Sequence, residues 1–259
     1  MKITIIGSGN VGTHLAKRLF EKGHSIVQIF SRNIENAAEL AQQVNAESIC
    51  DLSELLESTE IIIIAVKDDV IEEISKAINF ENVLIVHTSG GTSSAVLVRQ
   101  LKQPVLLRLR FGIFYPLQSF SKVKSVDFEK LPICIDANNE EDLNLLETLA
   151  QSICPNVYRI NDKERAILHV CAVMVNNFTN HLFAMADDIL KQENLTLDIL
   201  KPLILETVKK IENHPPKQMQ TGPAIRNDEK TIDNHLQFLD KYPDYQLIYK
   251  LLSDSIQSV

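Results

Sequence analysis

The sequence predicts an α/β protein in which a doubly wound, mostly parallel sheet is followed by a smaller all-helical domain. Three features of the 259 residues lead there. Over residues 1–160, short β-branched runs alternate with amphipathic stretches, the pattern of a βαβ series. The runs are apolar throughout, Ile61-Ile62-Ile63-Ile64 most plainly, as expected of parallel strands covered by helices on both faces. From Asp162 onward no strand-like run follows.

Taken in order, strands are expected at Ile3 to Ile6, Ser25 to Phe30, Ile61 to Val66, Val83 to Val86, Phe111 to Tyr115, Pro132 to Ile135 and Val157 to Ile160. Amphipathic periodicity places helices at Val11 to Phe20, Ile34 to Val44, Val70 to Ile78 and Glu140 to Ile153. The helical remainder covers Lys163 to Lys191, Leu197 to Glu212, Lys230 to Leu239 and Gln246 to Ile256. The change of texture sets a domain boundary near Asn161, with residues 1–160 binding a dinucleotide and 161–259 serving substrate binding and dimerisation.

Composition narrows the function. Lys plus Arg number 26 against 34 Asp plus Glu, a net charge of −8, and no basic run offers phosphate-backbone electrostatics, so no nucleic-acid partner is expected. Cys50, Cys134, Cys154 and Cys171 form no CxxC pair. That argues against a metal site and reads as core thiols in a reducing compartment. No stretch approaches the roughly 18 apolar residues of a membrane span, and the N-terminus enters a strand without a signal peptide's apolar region. The expectation is a soluble cytoplasmic protein acting on a small molecule.

Chemistry enters at Gly7-Ser8-Gly9-Asn10-Val11-Gly12, which follows a strand, opens a helix and fits G-x-G-x-x-G. Gly7 makes a tight turn, Gly9 lets backbone approach a pyrophosphate, and Gly12 lets helix and strand pack closely. These positions define a Rossmann-type domain, although a glycine turn can also be purely structural. An NAD-preferring fold places Asp or Glu at the end of the second strand. Here Ser31 and Arg32 stand in its place, and they suit the 2′-phosphate of NADP. The alternative is that Arg32 caps a surface turn. Ligands in open α/β sheets bind beyond the carboxyl ends of strands, so Val66, Lys67, Asp68, His87, Thr88 and Ser89 are expected at the nicotinamide half. Asp68 as a helix cap, and His87 as a histidine held by backbone, are the structural alternatives.

In the helical part, Leu168 to Leu182 reads LHVCAVMVNNFTNHL. At about 100° per residue, His169, Val173, Asn176 and Asn180 share one face. Such a polar stripe needs partners, from neighbouring helices or from a ligand. The catalytic candidates are therefore His169, Asn176 and Asn180. Thr221 and Arg226 lie in a Gly-Pro loop as candidate substrate contacts, the arginine as a bidentate partner for a carboxylate.

GSGNVG, HTSGG (His87 to Gly91), FYPLQSF (Phe114 to Phe120), NNFTNHL (Asn176 to Leu182) and TGPAIRNDEKTI (Thr221 to Ile232) together resemble Rossmann-like oxidoreductases with a C-terminal helical domain of unknown function. The resemblance implies an NADP-dependent oxidoreductase similar in architecture to pyrroline-carboxylate reductase and the β-hydroxyacid dehydrogenases. It also implies homodimers built through the helical domain. One departure matters. The hydroxyacid dehydrogenases carry a catalytic lysine four residues before an asparagine, and here the corresponding positions are Ala172 and Val173. Any proton donor must be another group, and His169 is the best placed. Two readings follow: an NADP-dependent reductase passing hydride between nicotinamide and a small carbonyl or imine in an interdomain cleft, or a non-catalytic NADP-binding sensor.

Overall fold

The computed structural model describes residues 1–78, 80, 82–98, 110–121 and 124–258. Eight strands form one sheet: β1 Lys2–Ile6, β2 Ser25–Phe30, β3 Glu47–Ile49, β4 Ile61–Ile64, β5 Leu84–His87, β6 Arg110–Pro116, β7 Ile133–Ala137 and β8 Val157–Arg159. Their order is β3-β2-β1-β4-β5-β6-β7-β8. Pairing is parallel from β3 through β6. β7 runs antiparallel to β6, and β8 parallel to β7. The first six strands thus have the doubly wound order in which the chain switches direction between β1 and β4, leaving a crevice at the carboxyl ends.

The helices of this part are α1 Asn10–Glu21, α2 Ile34–Gln43, α3 Ile71–Ala77, α4 Glu140–Ile153 and α5 Asp162–Ala172. β4 shows why an all-isoleucine strand is tolerated. Ile61 and Ile63 join one buried cluster with Leu15, Leu19, Leu40 and Leu146, while Ile62 and Ile64 join another with Ile71 and Ile74. The strand therefore has no solvent-facing side, and its apolar area, worth roughly 25 cal/mol per Å², is buried on both. β3 has no counterpart among the expected strands. Three residues are too few to show a period, and β3 exists because Gln28 to Phe30 offer it an edge to pair with.

α5 is fastened to the β5 side of the sheet at its first turns. Asn161 and Glu164 form a capping box. Asp162 Oδ2 accepts from Ser93 Oγ at 2.5 Å and from Ser94 N at 2.8 Å. Arg165, 1% exposed, donates to Thr92 O and pairs with Asp162 at 2.7 Å. A buried guanidinium this constrained fixes the helix that carries it.

Beyond α5 the long helix expected over Lys163 to Lys191 is interrupted. Val173–Phe178 are π-helical before α6, Thr179–Gln192, resumes. Two valines and two asparagines, all weak helix formers, make the looser turn inexpensive. A turn closed by i→i+5 bonds does not advance by 100° per residue, so the face drawn through His169, Asn176 and Asn180 is not continuous in the backbone.

By compactness the chain divides into Met1–Asn176 and Asn177–Val259. The second unit holds α6, α7 Lys201–Asn213, α8 Glu229–Phe238 and α9 Pro243–Gln257. Tyr245 Oη donates to Asp188 at 2.9 Å, Tyr242 Oη to Gln192 at 2.5 Å and Lys241 Nζ to Glu193 at 2.8 Å, joining the α9 end to α6. No helix among the described residues is long and apolar enough to cross a membrane.

The α4 attachment yields a stability test. Asp142, 1% exposed, accepts from Arg110 Nε at 2.9 Å and from Asn139 Nδ2 at 2.6 Å, tying α4 to β6. Asp142→Ala should cost about 2 kcal/mol by removing the buried acceptor of Arg110 and Asn139, seen in thermal unfolding as a drop of roughly 4–8 °C. An unchanged midpoint would show the pair to be dispensable.

Candidate functional site

Each glycine of the first loop has a distinct geometric reason to be there. Gly7 adopts φ +114°, and a Cβ on it would lie 2.3 Å from Ala65 O. A Cβ on Gly12 would lie 1.9 Å from Gly7 O, so only glycine lets α1 approach the end of β1 this closely. Gly9 differs, because no heavy atom lies within 4 Å of where its Cβ would be. Gly9 is the N-cap of α1, and no side chain caps the helix. The first N–H groups of any α-helix lack intrahelical partners. Here they border open space, a cradle that fits a pyrophosphate.

That space is a cavity of about 720 Å³, within the size of small-molecule sites. Gly7 to Val11, Ser31, Arg32, Val66, Lys67 and Thr88 line it, joined by Phe30, Asn33, Asn36, Ala65, Val70 and Ile74. Its lining contains two cations, Arg32 and Lys67, and no carboxylate. Val66, Val70 and Ile74 give it an apolar side suited to a base, and Ser31 to Asn33 with Asn36 a polar side suited to ribose and phosphate. The turn after β2 is capped by the Asn33 side chain, which accepts from Glu35 N and Asn36 N. Capping is therefore not the task of Arg32, which is exposed and makes no ion pair among the described residues. Asn36, Val70 and Ile74 were not foreseen. Asn36 sits one turn into α2 from Arg32, and the two apolar residues fell within the amphipathic helix expected over Val70 to Ile78.

The remaining candidates around the sheet separate by burial. Gly12 is buried and does not line this cavity. Asn10 lines the cavity, and its amide Nδ2 also donates to Phe120 O at 2.9 Å, which holds the segment after β6. His87 is 0% exposed, with Nδ1 accepting from Ser89 N and Nε2 near Ser93 O. Both nitrogens are used by backbone, and burial pushes its pKa down to about 4. It presents no surface to a ligand. Ser89 is likewise turned inward, accepting from Gly91 N and Thr92 N. Asp68 is exposed at the start of a short 3-10 turn, and its Oδ2 lies 3.8 Å from where a Gly91 Cβ would stand.

His169 belongs to this neighbourhood. Its Nδ1 is 3.2 Å from Tyr115 Oη, and the two rings meet edge to face. A Cβ on Gly90 would lie 2.5 Å from His169 Nδ1 and 2.6 Å from Tyr115 Cζ. Neither Gly90 nor Gly91 has a positive φ, so these glycines provide room for rings rather than a special backbone. His169, half-buried, thus stands beyond the carboxyl ends of β5 and β6. Asn176 and Asn180 are exposed, Asn176 within the π-helical segment. In the helical unit, Thr221 lines an apolar cavity of about 360 Å³ with Met185, Leu239 and Tyr249. Arg226 is exposed, and Asp228 caps α8 by accepting from Thr231 N. Tyr115 was missed because a tyrosine inside an apolar strand reads as core. The described residues contain no group of histidine, cysteine and carboxylate side chains able to hold a metal.

Comparison with known proteins accords with this arrangement. Residues 2–91 match the family described as NADP oxidoreductase coenzyme F420-dependent, and residues 131–256 match a domain of unknown function, DUF2520. The chain is 41% identical to a Bacteroides fragilis protein named "putative NADP oxidoreductase", over 100% of this chain and 98% of that one, with a TM-score of 0.88. It shares its fold with the pyrroline carboxylate reductase of Plasmodium falciparum, solved with NADP bound (15% identity, 99% and 98% covered, TM-score 0.62). It also shares its fold with a 3-hydroxyisobutyrate dehydrogenase of Salmonella typhimurium (16% identity, 80% and 73% covered, TM-score 0.58). A search of the curated proteins gave no match.

His87 makes the site's stability depend on pH. Its folded pKa of about 4 lies below the ordinary 6.5. Between those values the unfolded chain binds a proton that the folded one refuses, so stability falls as pH falls through that window. From pH 7 to pH 5 the His87 contribution should be about 2 kcal/mol. Chemical unfolding of His87→Gln across that range should show a correspondingly flatter profile, and a profile parallel to the wild type would contradict the assignment.

Proposed function

This chain belongs to the family of NADP oxidoreductases in which that N-terminal domain is joined to the C-terminal domain of unknown function, and from that premise we propose an NADP-dependent reductase of a small carbonyl or imine. The observation that carries the cofactor half is the cavity lining: an uncapped helix N-terminus at Gly9, two cations and no carboxylate. A 2′-phosphate is favoured by Arg32, whose fork matches phosphate oxygens, and by the Ser31 hydroxyl. The chemistry the cofactor supplies when bound is a hydride, delivered to the carbon of C=O or C=N.

The chain's own part in the reaction is the proton. His169 gives one to the substrate oxygen or nitrogen and regains it from solvent, the general-acid role that an imidazole can fill. Support comes from its half-buried place beside Gly90 and Gly91, at the strand ends where ligands bind in open α/β sheets. Asn176 and Asn180 would orient the polarised atom, and Arg226, exposed, would meet a substrate carboxylate with Thr221 nearby in sequence. The boundary we favour keeps residues 1–160 for the cofactor and 161–259 for substrate and assembly.

A homodimer through the helical part is supported by apolar side chains left in solvent. On α7, Leu203, Leu205, Val208 and Ile211 are all exposed, apolar side chains that a second copy of the chain would cover. Four free cysteines suit a cytoplasmic setting.

Two measurements test the proposal. Calorimetric titration should give tighter binding of NADP than NAD, and Arg32→Asp should weaken NADP by roughly tenfold to a hundredfold, the worth of a charge-assisted contact. Equal affinity for both cofactors would remove the 2′-phosphate assignment. Following NADPH consumption across a panel of small aldehydes, keto acids and cyclic imines, His169→Ala should lose on the order of a hundredfold to ten-thousandfold in rate with cofactor affinity unchanged. Full retention of turnover would remove His169 as donor, and a wild type inert to every substrate would favour the NADP-binding sensor.

A further inference from the structure

We propose that Tyr115 is the positioning residue of His169: its hydroxyl occupies Nδ1 whatever the charge of the ring, leaving Nε2 as the nitrogen that exchanges a proton. This deepens the reading of His169 as proton donor and rests on it. The geometry is specific. Tyr115 Oη lies 3.2 Å from Nδ1, and the ring centroids are 6.1 Å apart at 71°. The space both rings fill exists because residue 90 has no Cβ; one would come within 2.8 Å of Tyr115 Oη as well as 2.5 Å of Nδ1. The opposite, Cδ2–Nε2 edge runs along Gly91, at 3.4 and 3.7 Å from where its Cβ would be.

A phenol is the partner this task needs. A carbonyl or carboxylate can only accept, so it would hold one form of the ring. A hydroxyl can donate to Nδ1 of a neutral imidazole and accept from Nδ1–H of an imidazolium. The imidazolium passes its Nε2 proton to a substrate atom with Nδ1–H held by Tyr115, solvent returns a proton to Nε2, and no proton leaves the phenol. Burial pushes the Tyr115 pKa up to about 12, so the hydroxyl remains neutral through this cycle.

The surrounding elements supply the other charged and titratable groups. Asp68 comes from the turn after β4, within 3.8 Å of the same point over Gly91. Cys134 on β7 is kept a thiol by burial, with a pKa of about 11. His87 is committed to backbone, and Arg165, one turn earlier on α5, to Thr92 and Asp162. Tyr115 is therefore the neutral hydroxyl in direct contact with the ring.

The test needs no substrate. In the full-length protein with 15N-labelled histidine, the His169 ring should give nitrogen signals distinct from those of a free imidazole, with Nδ1 hydrogen-bonded to the phenol. Tyr115→Phe keeps the ring packing and removes the hydroxyl; its His169 signals should move toward those of a free imidazole. Gly90→Ala, which retains both partners and parts them, should do the same should the first variant fold poorly. Free-imidazole signals in the wild type, or signals unchanged in both variants, would overturn the proposal. The readout is independent of turnover: if the signals move while His169→Ala keeps full activity, Tyr115 still positions the ring and the proton-donor reading alone falls.

Discussion

The site depends on a single missing carbon. At Gly12 a Cβ would stand 1.9 Å from the carbonyl oxygen of Gly7, so α1 can seat its N-terminus against the end of β1 only with glycine there. From that contact follow the reversed backbone at Gly7, the uncapped helix start at Gly9, and the bond from Gly7 N to Phe30 O at 2.8 Å that draws the end of β2 alongside. Ser31 and Arg32 are then adjacent to the loop because β2 neighbours β1 in the sheet. Under the proposed assignment, selectivity for a 2′-phosphate would follow from strand order and two residues, with no dedicated loop required.

The opposite side of the crevice is held by a different interaction. Arg165 is fully buried and ties α5 to the chain after β5. A guanidinium in that position is expensive to bury, and its partners Asp162 and Thr92 offset the loss of water. His169 lies four residues on, on the same helix face, so the ion pair that seats α5 also sets the height of the imidazole above Gly90 and Gly91. His87, the last residue of β5, has the opposite fate: enclosed and held neutral by burial, it stabilises the turn that follows.

Much of the fold was legible because its causes are local. β2 and α4 fall on the expected residues, since a β-branched run between turns and a strong 3.6-residue period leave little choice. The glycine loop was legible from its spacing between a strand and a helix; the constraint on Gly12 is local, at Gly7, while the one on Gly7 lies at Ala65 on the neighbouring strand end. What escaped the sequence depended on distant partners. β3 needs the β2 edge, Tyr115 acquires a polar role only when α5 lays His169 against it, and Asn10 spends its side chain on Phe120, 110 residues away. The stripe of His169, Asn176 and Asn180 assumed a uniform helix; the π-helical residues 173–178 break that uniformity, and no period in the sequence marks them.

The most direct test is a crystal structure of the chain with NADP. The pyrophosphate density should lie on the N–H groups that open α1 at Gly9 to Val11, with the 2′-phosphate within ion-pair reach of Arg32 and hydrogen-bonded by Ser31. Adenosine density elsewhere, or a 2′-phosphate turned to solvent with Arg32 unmoved, would contradict the assignment of this cavity.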